Sequence, residues 1–183
     1  MFRQPLSVLL VLGLLSTACS SKKPRTNSEL AKATAKNASA LPTAPVGPLA
    51  GGTAVTLAEV VNGKVAVIDL WATWCTACRE VSKNVELLAE AHKGKAFVAI
   101  GLDVGEERSI VSAFFDGQPA KIPIYLDSQF KVADALGARE LPTVLVVDKS
   151  GKIRLVKKKV DSDVLSLVEQ LLAEAPAASS ATP

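Results

Sequence analysis

The feature that most constrains the fold is an apolar run over residues 65–71, broken only by Asp69 and followed closely by two cysteines, Cys75 and Cys78. A β-branched run of this kind is typical of a strand covered on both faces of a sheet. From Cys78 to His92, apolar side chains then recur at helical spacing. Two thiols three positions apart at a strand-to-helix junction lie within bonding reach, so they can form and break a disulfide. The pattern therefore indicates redox chemistry on an α/β scaffold.

Strands and helices alternate along the rest of the chain. The pattern predicts further strands over residues 97–102, 122–126, 142–147 and 153–160, further helices over residues 106–115 and 128–136, and a last helix that continues through Glu174. Pro123 marks one of these strands as irregular or near an edge of the sheet, and Asp161 is predicted to cap the last helix. This order predicts an α/β sheet with mostly parallel pairing at its start and a C-terminal hairpin and helix.

The N-terminus, residues 1–18, has the charged start, short apolar stretch and small-residue end of an export signal peptide. Its apolar stretch is about half of the roughly 20 residues that span a bilayer, so we do not expect a transmembrane anchor. Cys19 directly follows the small residues and resembles the lipidated first residue of a bacterial lipoprotein. An ordinary secretory signal with an incidental cysteine is the alternative.

Composition divides the remaining chain into a tether, a domain and a tail. Residues 19–52 are rich in Ala, Ser, Thr, Pro, Lys and Asn and lack sustained apolar periodicity. Such a segment cannot bury enough surface to offset its ordering entropy, so we predict a flexible linker behind the lipidated N-terminus. Residues 53–175 are predicted to fold as one domain, and residues 176–183 to form a disordered tail.

Charge and aromatic content argue against nucleic-acid binding. The formal net charge is only +3 and aromatic residues make up 4% of the chain, whereas a dedicated binder clusters basic residues and interleaves aromatic ones. One tight basic run, Lys157 to Lys159, is interpreted as the solvated edge of a terminal strand rather than as a binding patch.

Cys75 and Cys78 are the candidate catalytic residues. Unpaired N–H groups and the dipole at the first turn of a helix favour a thiolate, which makes Cys75 the predicted nucleophile. Cys78 is then the resolving residue, which attacks the mixed disulfide. The alternative is a fragment of a zinc site, but zinc needs four ligands and the domain adds only His92 to the two cysteines. We therefore predict no metal and no cofactor.

Asp69 is a lone carboxylate inside the apolar run of the central strand. Burial disfavours the ionised form, so the proton affinity of Asp69 should rise unless a partner compensates. Because Asp69 lies six residues before Cys75, it can sit beneath the start of the helix. We predict that it is the general base that takes the proton from Cys78. A strand-end carboxylate paired with a lysine such as Lys64 is the alternative.

The run from Val67 to Arg79 and the later Leu141-Pro142-Thr143 resemble the thioredoxin superfamily, and residues 122–127 and 146–153 resemble its membrane-tethered TlpA/ResA type. The resemblance implies a thioredoxin-like three-layer fold, with a central mixed sheet, flanking helices and a C-terminal hairpin and helix. It further implies a cis proline that faces the cysteine pair, although a trans proline opening an edge strand is the alternative. The residues implied to contact substrate are Trp74, Leu141 and Thr143, beside the catalytic Pro142.

Departures from the TlpA/ResA pattern concern the cysteine motif. Many members carry Pro between the cysteines and Glu three residues after the second one, where this chain has Thr76-Ala77 and Val81. Glu80 is one position early and about 100° away around a helix, so it is not expected to replace that Glu. The Thr-Ala dipeptide also resembles the C-terminal domain of the membrane electron carrier DsbD.

Function follows from the pair and from the resemblance. Strong oxidants of this fold stabilise their thiolate heavily, and Thr76-Ala77 supplies no charge for this. We therefore expect an exported protein-disulfide reductase on the periplasmic or cell-surface side, anchored to the lipid bilayer by its lipidated N-terminus. Its implied partners are disulfide-containing exported proteins and a membrane electron donor of the DsbD/CcdA type. The alternatives are a disulfide oxidase or isomerase, a copper-site assembly factor (metallochaperone), and a scaffold with a vestigial pair.

Overall fold

The structure, a computed structural model, describes residues 39–174. The predictions for the signal peptide at residues 1–18, for Cys19, for the first part of the linker and for the tail at residues 176–183 lie outside the described residues.

Residues 39–174 form eight strands and five helices. The strands are β1 (Ser39–Ala40), β2 (Pro45–Pro48), β3 (Val55–Thr56), β4 (Val65–Trp71), β5 (Phe97–Val104), β6 (Ile124–Asp127), β7 (Thr143–Val147) and β8 (Lys152–Lys157). The helices are α1 (Leu57–Val61), α2 (Cys78–Ala91), α3 (Arg108–Phe114), α4 (Lys131–Leu136) and α5 (Ser162–Ala173). None of these helices is long and apolar enough to cross a membrane.

The strands form one mixed sheet in the order β1-β8-β7-β4-β5-β6-β2-β3. β4, β5 and β6 run parallel to one another, and β7 lies antiparallel to β4 and forms a hairpin with β8. The predicted α/β fold with a central mixed sheet and a C-terminal hairpin and helix is therefore confirmed. β6 is not an edge strand, because β2 pairs with its outer side.

β4 lies in the middle of the sheet, between β7 and β5, and all seven of its residues are buried. Val65 and Val67 pack on one face with the apolar residues of α2, α3 and α5, and Ala66 and Ile68 pack on the other face with those of α1 and α4. Helices therefore cover both faces, which gives the three layers expected. The two parallel crossovers bring the carboxyl ends of β4, β5 and β6 to one edge of the sheet.

The predicted boundary between linker and domain is wrong. Residues 39–52 belong to the folded unit: β1 pairs with β8 and β2 pairs with β6. Leu41 and Val46 are buried in the core. These strands have two and four residues, too few to show a periodicity, and their proline and glycine content is typical of linkers. These two strands are held in place by pairing with strands that are distant in sequence. Composition gives no information about such pairing.

Two helices begin later than predicted, whereas the last one begins where expected. α3 starts at Arg108 and α4 at Lys131, because Glu106 before α3 binds Thr73 of the loop after β4 and Ser128 before α4 donates to the carbonyl of Glu106. Asp161 caps α5 as predicted, since its side chain accepts hydrogen bonds from the N–H groups of Asp163 and Val164.

Candidate active site

Cys75 and Cys78 form a disulfide just beyond the carboxyl end of β4, with their Cα atoms 5.3 Å apart. Both residues are buried. α2 begins at Cys78, so Cys75 precedes the helix instead of lying in its first turn as predicted. The reason is a turn in which the N–H of Cys78 donates to the carbonyl of Cys75 before the helical pattern starts.

The backbone nevertheless directs positive charge at the sulfur of Cys75. The N–H of Cys78 donates to its Sγ atom over 3.2 Å. No side chain caps this end of the 14-residue α2, so its first N–H groups and the helix dipole act on the cysteine pair. The arrangement favours negative charge on Cys75 when the disulfide opens, as a nucleophilic thiol requires.

Asp69 is a buried carboxyl in the middle of β4 and lines the same cleft as the two cysteines. Its Oδ2 atom accepts a hydrogen bond of 2.6 Å from the hydroxyl of Ser82 on α2. Its Oδ1 atom has no hydrogen-bond partner among the described residues. Burial raises the pKa of Asp69 to about 6, although the Ser82 hydrogen bond opposes the rise. In residues 39–174 Lys64 makes no ion pair with Asp69.

Sequence reasoning missed Ser82, the residue that contacts Asp69. A signal was available, because Ser82 lies four residues after Cys78 and so shares its face of the helix. Apolar packing cannot explain a serine on that buried face, whereas a buried carboxyl beneath it can.

A cleft of about 810 Å³ opens beside the cysteine pair. Trp71, Phe114 and Phe115 form its aromatic wall, with ring centroids 5.1 to 5.6 Å apart. Arg79 lies over the ring of Phe114, with 5.9 Å between its guanidinium carbon and the ring centroid. An apolar wall with basic side chains in the lining of the cleft, Arg79, Lys83 and Lys121, is suited to a chain segment that carries apolar side chains.

The peptide bond between Leu141 and Pro142 is cis, as the resemblance implies. Thr143, the next residue, pairs with Leu70 near the end of β4. Pro142 therefore lies at the same edge of the sheet as the cysteine motif.

The three residues expected to contact substrate differ in exposure. Trp74 is 68% exposed and Leu141 is partly buried. The side chain of Thr143 is buried, and its hydroxyl donates to the carbonyl of Glu140 and accepts from the amino group of Lys158. Thr143 as a whole is thus enclosed, whereas the indole of Trp74, the residue before Cys75, is exposed.

His92 lies at the far end of α2 from the cysteine pair. A helix of this length extends about 20 Å at 1.5 Å per residue. The His92 ring donates to the carbonyl of Leu88 and pairs with the carboxylate of Glu169 at 2.9 Å. The structure therefore does not bring His92 to the two thiols. Glu80, also on α2, is exposed on the helix surface.

A second buried carboxyl, Asp103, was also missed. It lies on β5 directly opposite Trp71 of β4 and has no exposed surface. The signal was the one that identified Asp69, a lone acidic residue within an apolar strand. It was overlooked because Asp103 follows the predicted end of that strand at residue 102.

Two bacterial relatives resemble the chain over part of its length. Thiol-disulfide oxidoreductase ResA of Geobacillus thermodenitrificans is 29% identical over 95 residues, which cover 52% of this chain and 55% of that protein. The protein of the same name from Halalkalibacterium halodurans is 28% identical over 121 residues, 66% of this chain and 67% of that protein. The chain thus spans little more than half the length of the first of these relatives.

The fold resembles that of a secreted thiol-disulfide isomerase from Corynebacterium glutamicum, with a TM-score of 0.63 and 25% identity over 73% of this chain and 86% of that one. The Redoxin family profile matches residues 21–172. This range contains both cysteines, Asp69 and Pro142. The chain therefore belongs to the Redoxin family, and its similarity to the two ResA proteins agrees with the resemblance to the TlpA/ResA type.

Proposed function

We propose that the protein is a thiol:disulfide oxidoreductase that reduces disulfide bonds in exported proteins. One observation carries the proposal: Cys75 and Cys78 form a disulfide at the amino end of α2, in an open cleft that also contains Asp69, a carboxyl that ionises near neutral pH. The relatives named as thiol-disulfide oxidoreductases support the same activity.

The reaction begins with both cysteines reduced. The thiolate of Cys75 attacks one sulfur of a substrate disulfide, a Cys75–substrate bond forms, and the other substrate sulfur leaves as a thiolate. Cys78 then attacks the Sγ atom of Cys75, its proton passes to the ionised carboxylate of Asp69, and the second substrate thiolate leaves. The substrate gains two electrons and the enzyme is left with the Cys75–Cys78 disulfide.

Asp69 suits the role of general base because its pKa of about 6 lies close to neutral pH. At pH 7 most of the carboxyl is ionised and can accept the Cys78 proton. The resulting carboxylic acid is stable in its buried position, since burial favours the neutral form. Ser82 fixes the orientation of the carboxyl through Oδ2, which leaves Oδ1 as the oxygen that can receive a proton.

The direction of electron flow is proposed from the residues between the cysteines. Thr76 and Ala77 bring no charge to the sulfur of Cys75, so the dithiol is stabilised less than in strong oxidants of this fold. The reduced protein is therefore a donor of electrons. A membrane dithiol carrier of the DsbD/CcdA type restores the pair by the reverse exchange.

We further propose that the protein works outside the cytoplasm, tethered to the bilayer through a lipid on Cys19 after removal of residues 1–18. The sequence of residues 1–19 supports this placement. Metabolic labelling with a lipid precursor tests it. The full chain should take up label and fractionate with membranes, and Cys19→Ala should do neither. Unlabelled full chain contradicts the anchor.

An insulin-reduction assay tests the activity. The full chain should reduce insulin with dithiothreitol as the electron source, and Cys75→Ser should lower the rate to that of dithiothreitol alone. Cys78→Ser should instead accumulate mixed disulfides that resist release, because the resolving thiol is missing. Thr76→Ser is the matched control, since it changes a residue of the same loop and leaves both thiols. Equal rates for the full chain and Cys75→Ser contradict the proposal.

A further inference from the structure

Glu106 fixes the loop that carries the cysteine motif. One of its carboxylate oxygens accepts the backbone N–H of Thr73 over 2.6 Å, and the other accepts the hydroxyl of the same residue over 2.7 Å. Thr73 lies two residues before Cys75. Two hydrogen bonds to one carboxylate define both the position and the rotation of the loop backbone at this point.

The backbone of Glu106 is in turn held in place by a neighbouring turn. Its carbonyl accepts a hydrogen bond of 2.7 Å from the hydroxyl of Ser128, just beyond β6. Hydrogen bonds thus connect three neighbouring segments at this edge of the sheet. These are the motif loop after β4, the loop after β5 and the turn after β6. Any change in the carboxylate of Glu106 is transmitted to the cysteine loop through Thr73.

Asp103 interacts with Glu106 and has no side-chain donor among the described residues. It is completely buried, and neither of its carboxyl oxygens receives a hydrogen bond of normal geometry within residues 39–174. An ionised Asp103 would therefore be a buried charge without compensation, which is strongly unfavourable. A protonated Asp103 is a donor instead, and its side chain faces the carboxylate of Glu106, an acceptor.

The groups that face Asp103 are acidic. They are Glu106, which follows β5, and Asp127 at the end of β6. Asp127 uses its Oδ2 atom to accept the N–H groups of Val132 and Ala133 at the start of α4. None of the three carboxyls forms an ion pair within residues 39–174. With no basic side chain paired to these carboxyls in residues 39–174, a proton bound to one of them is what lowers the negative charge of the cluster.

We propose that Asp103 and Glu106 share one proton, and that the shared proton holds the Glu106 carboxylate in the orientation that binds Thr73. Asp103 donates to Glu106, and Glu106 accepts from both groups of Thr73. Asp103 is in this scheme a positioning residue for the cysteine loop. It acts through Glu106 and Thr73 and does not itself contact the reacting sulfur atoms.

The direction of the pKa shifts agrees with this arrangement. Burial, together with the adjacent charges of Glu106 and Asp127, raises the pKa of Asp103 to about 8, although the nearby Glu106 amide opposes the rise. Burial acts to raise the pKa of Glu106 as well, but hydrogen bonds from Thr73 and Asp103 bring it below its ordinary value. Below about pH 8 the pair therefore keeps its proton on Asp103 and its charge on Glu106.

Loss of the proton near pH 8 should loosen the loop. Two adjacent buried carboxylates repel each other, and Glu106, the more exposed of the two, can turn towards solvent. That movement breaks its hydrogen bonds to Thr73. The cysteine loop then becomes more mobile at alkaline pH, and any reaction of Cys75 that depends on the loop geometry changes with it.

Amide hydrogen exchange of Thr73 tests the proposal on the full chain in its disulfide form. In that form neither Cys75 nor Cys78 titrates, so the result does not depend on the proposed reductase activity, and failure of either can be recognised separately. After correction for the intrinsic pH dependence of exchange, protection of the Thr73 amide should fall at least about tenfold between pH 6.5 and pH 9.5, the factor that corresponds to one hydrogen bond to a charged group.

Three variants define the outcome. Asp103→Asn cannot lose a proton but can still donate to Glu106, so its Thr73 protection should stay constant over the same pH range. Glu106→Gln should show low protection at every pH, because it cannot accept from both donors. Glu107→Gln removes a neighbouring exposed charge and is the matched control, which should behave as the unaltered chain. A flat profile in the unaltered chain, or an unchanged fall in Asp103→Asn, overturns the proposal.

Discussion

Replacement of Asp69 by Asn should stabilise the protein at neutral pH while slowing its reaction. Burial raises the pKa of Asp69 from 3.8 to about 6. The folded protein therefore keeps a proton in a pH range where the unfolded chain has released it. By linkage, the contribution of Asp69 to the free energy of unfolding falls as the pH rises from about 4 to about 6. Above that range this contribution is constant.

The size of the effect follows from the shift. A difference of about 2 pKa units, at 1.36 kcal/mol per unit, amounts to about 3 kcal/mol at pH 7. Asn does not titrate, and its side-chain oxygen can still accept the hydrogen bond from Ser82. Asp69→Asn should therefore match the unaltered chain near pH 4 and exceed its stability at pH 7 by up to about 3 kcal/mol.

Urea unfolding of the disulfide form at several pH values between 4 and 8 measures this difference. Ser82→Ala is the matched control: it leaves the carboxyl in place but removes the hydrogen bond that opposes the rise in the Asp69 pKa, so the fall in stability should extend to higher pH. If Asp69→Asn is less stable than the unaltered chain at pH 7, or if both lose stability in parallel from pH 4 to 6, the reasoning is refuted.

The kinetic counterpart concerns the resolving step. With Ellman's reagent as the disulfide, attack by Cys75 releases one thionitrobenzoate and resolution by Cys78 releases the second. The second release should rise with pH through about 6 in the unaltered chain, and Asp69→Asn should slow it by about 10²-fold or more and remove this rise. Unchanged second-phase rates in the variant remove Asp69 from the mechanism.

Two further predictions concern the fold. A chain that begins at residue 39 should unfold cooperatively at the same urea concentration as the full chain. A chain that begins at residue 53 should be less stable, because it lacks the buried Leu41 and Val46. Equal stability of the two shortened chains contradicts the corrected boundary. Gly101→Ala should lower the free energy of unfolding by about 1–3 kcal/mol, since an added Cβ atom would lie 2.7 Å from Ile124 Cδ1, and thermal unfolding without a change in midpoint refutes this.

Much of the fold was predictable because long, strongly patterned segments lie at its centre. β4 begins and ends where its apolar run predicts, since burial on both faces leaves no position for a polar residue other than one with a specific role. Asp161 was identified as a cap from its residue type and place before an apolar helix. In each case a local pattern and the tertiary structure require the same residues.

β1 and β2 were not predictable by the same reasoning. They are short, and they are ordered by hydrogen bonds to strands about 80 to 110 positions later in the chain. Pro45 and Gly47 also give this segment the composition of a linker. Pro123 led to the prediction that β6 is irregular or near an edge of the sheet, and β2, which pairs with its outer side, was not predicted.

The candidate site was predictable where a residue type is itself unusual. Two cysteines and one carboxyl in an apolar strand pointed to the cleft, and the resemblance added the cis bond at Pro142. The clamp formed by Glu106 on Thr73 could not be read from the sequence, because a glutamate in a loop is ordinary and its partner is 33 positions away. Only the folded chain brings the two together.

Equilibration of the full chain with glutathione buffers of graded potential tests the central claim most directly. Alkylation and mass spectrometry would report the state of Cys75 and Cys78 at each potential. The account predicts a single two-electron transition that involves both cysteines together, with a midpoint nearer the approximately −270 mV of thioredoxin than the approximately −120 mV of a strong oxidant. Cysteines that do not exchange with glutathione contradict the redox function, and a midpoint near −120 mV contradicts the role as a reductant.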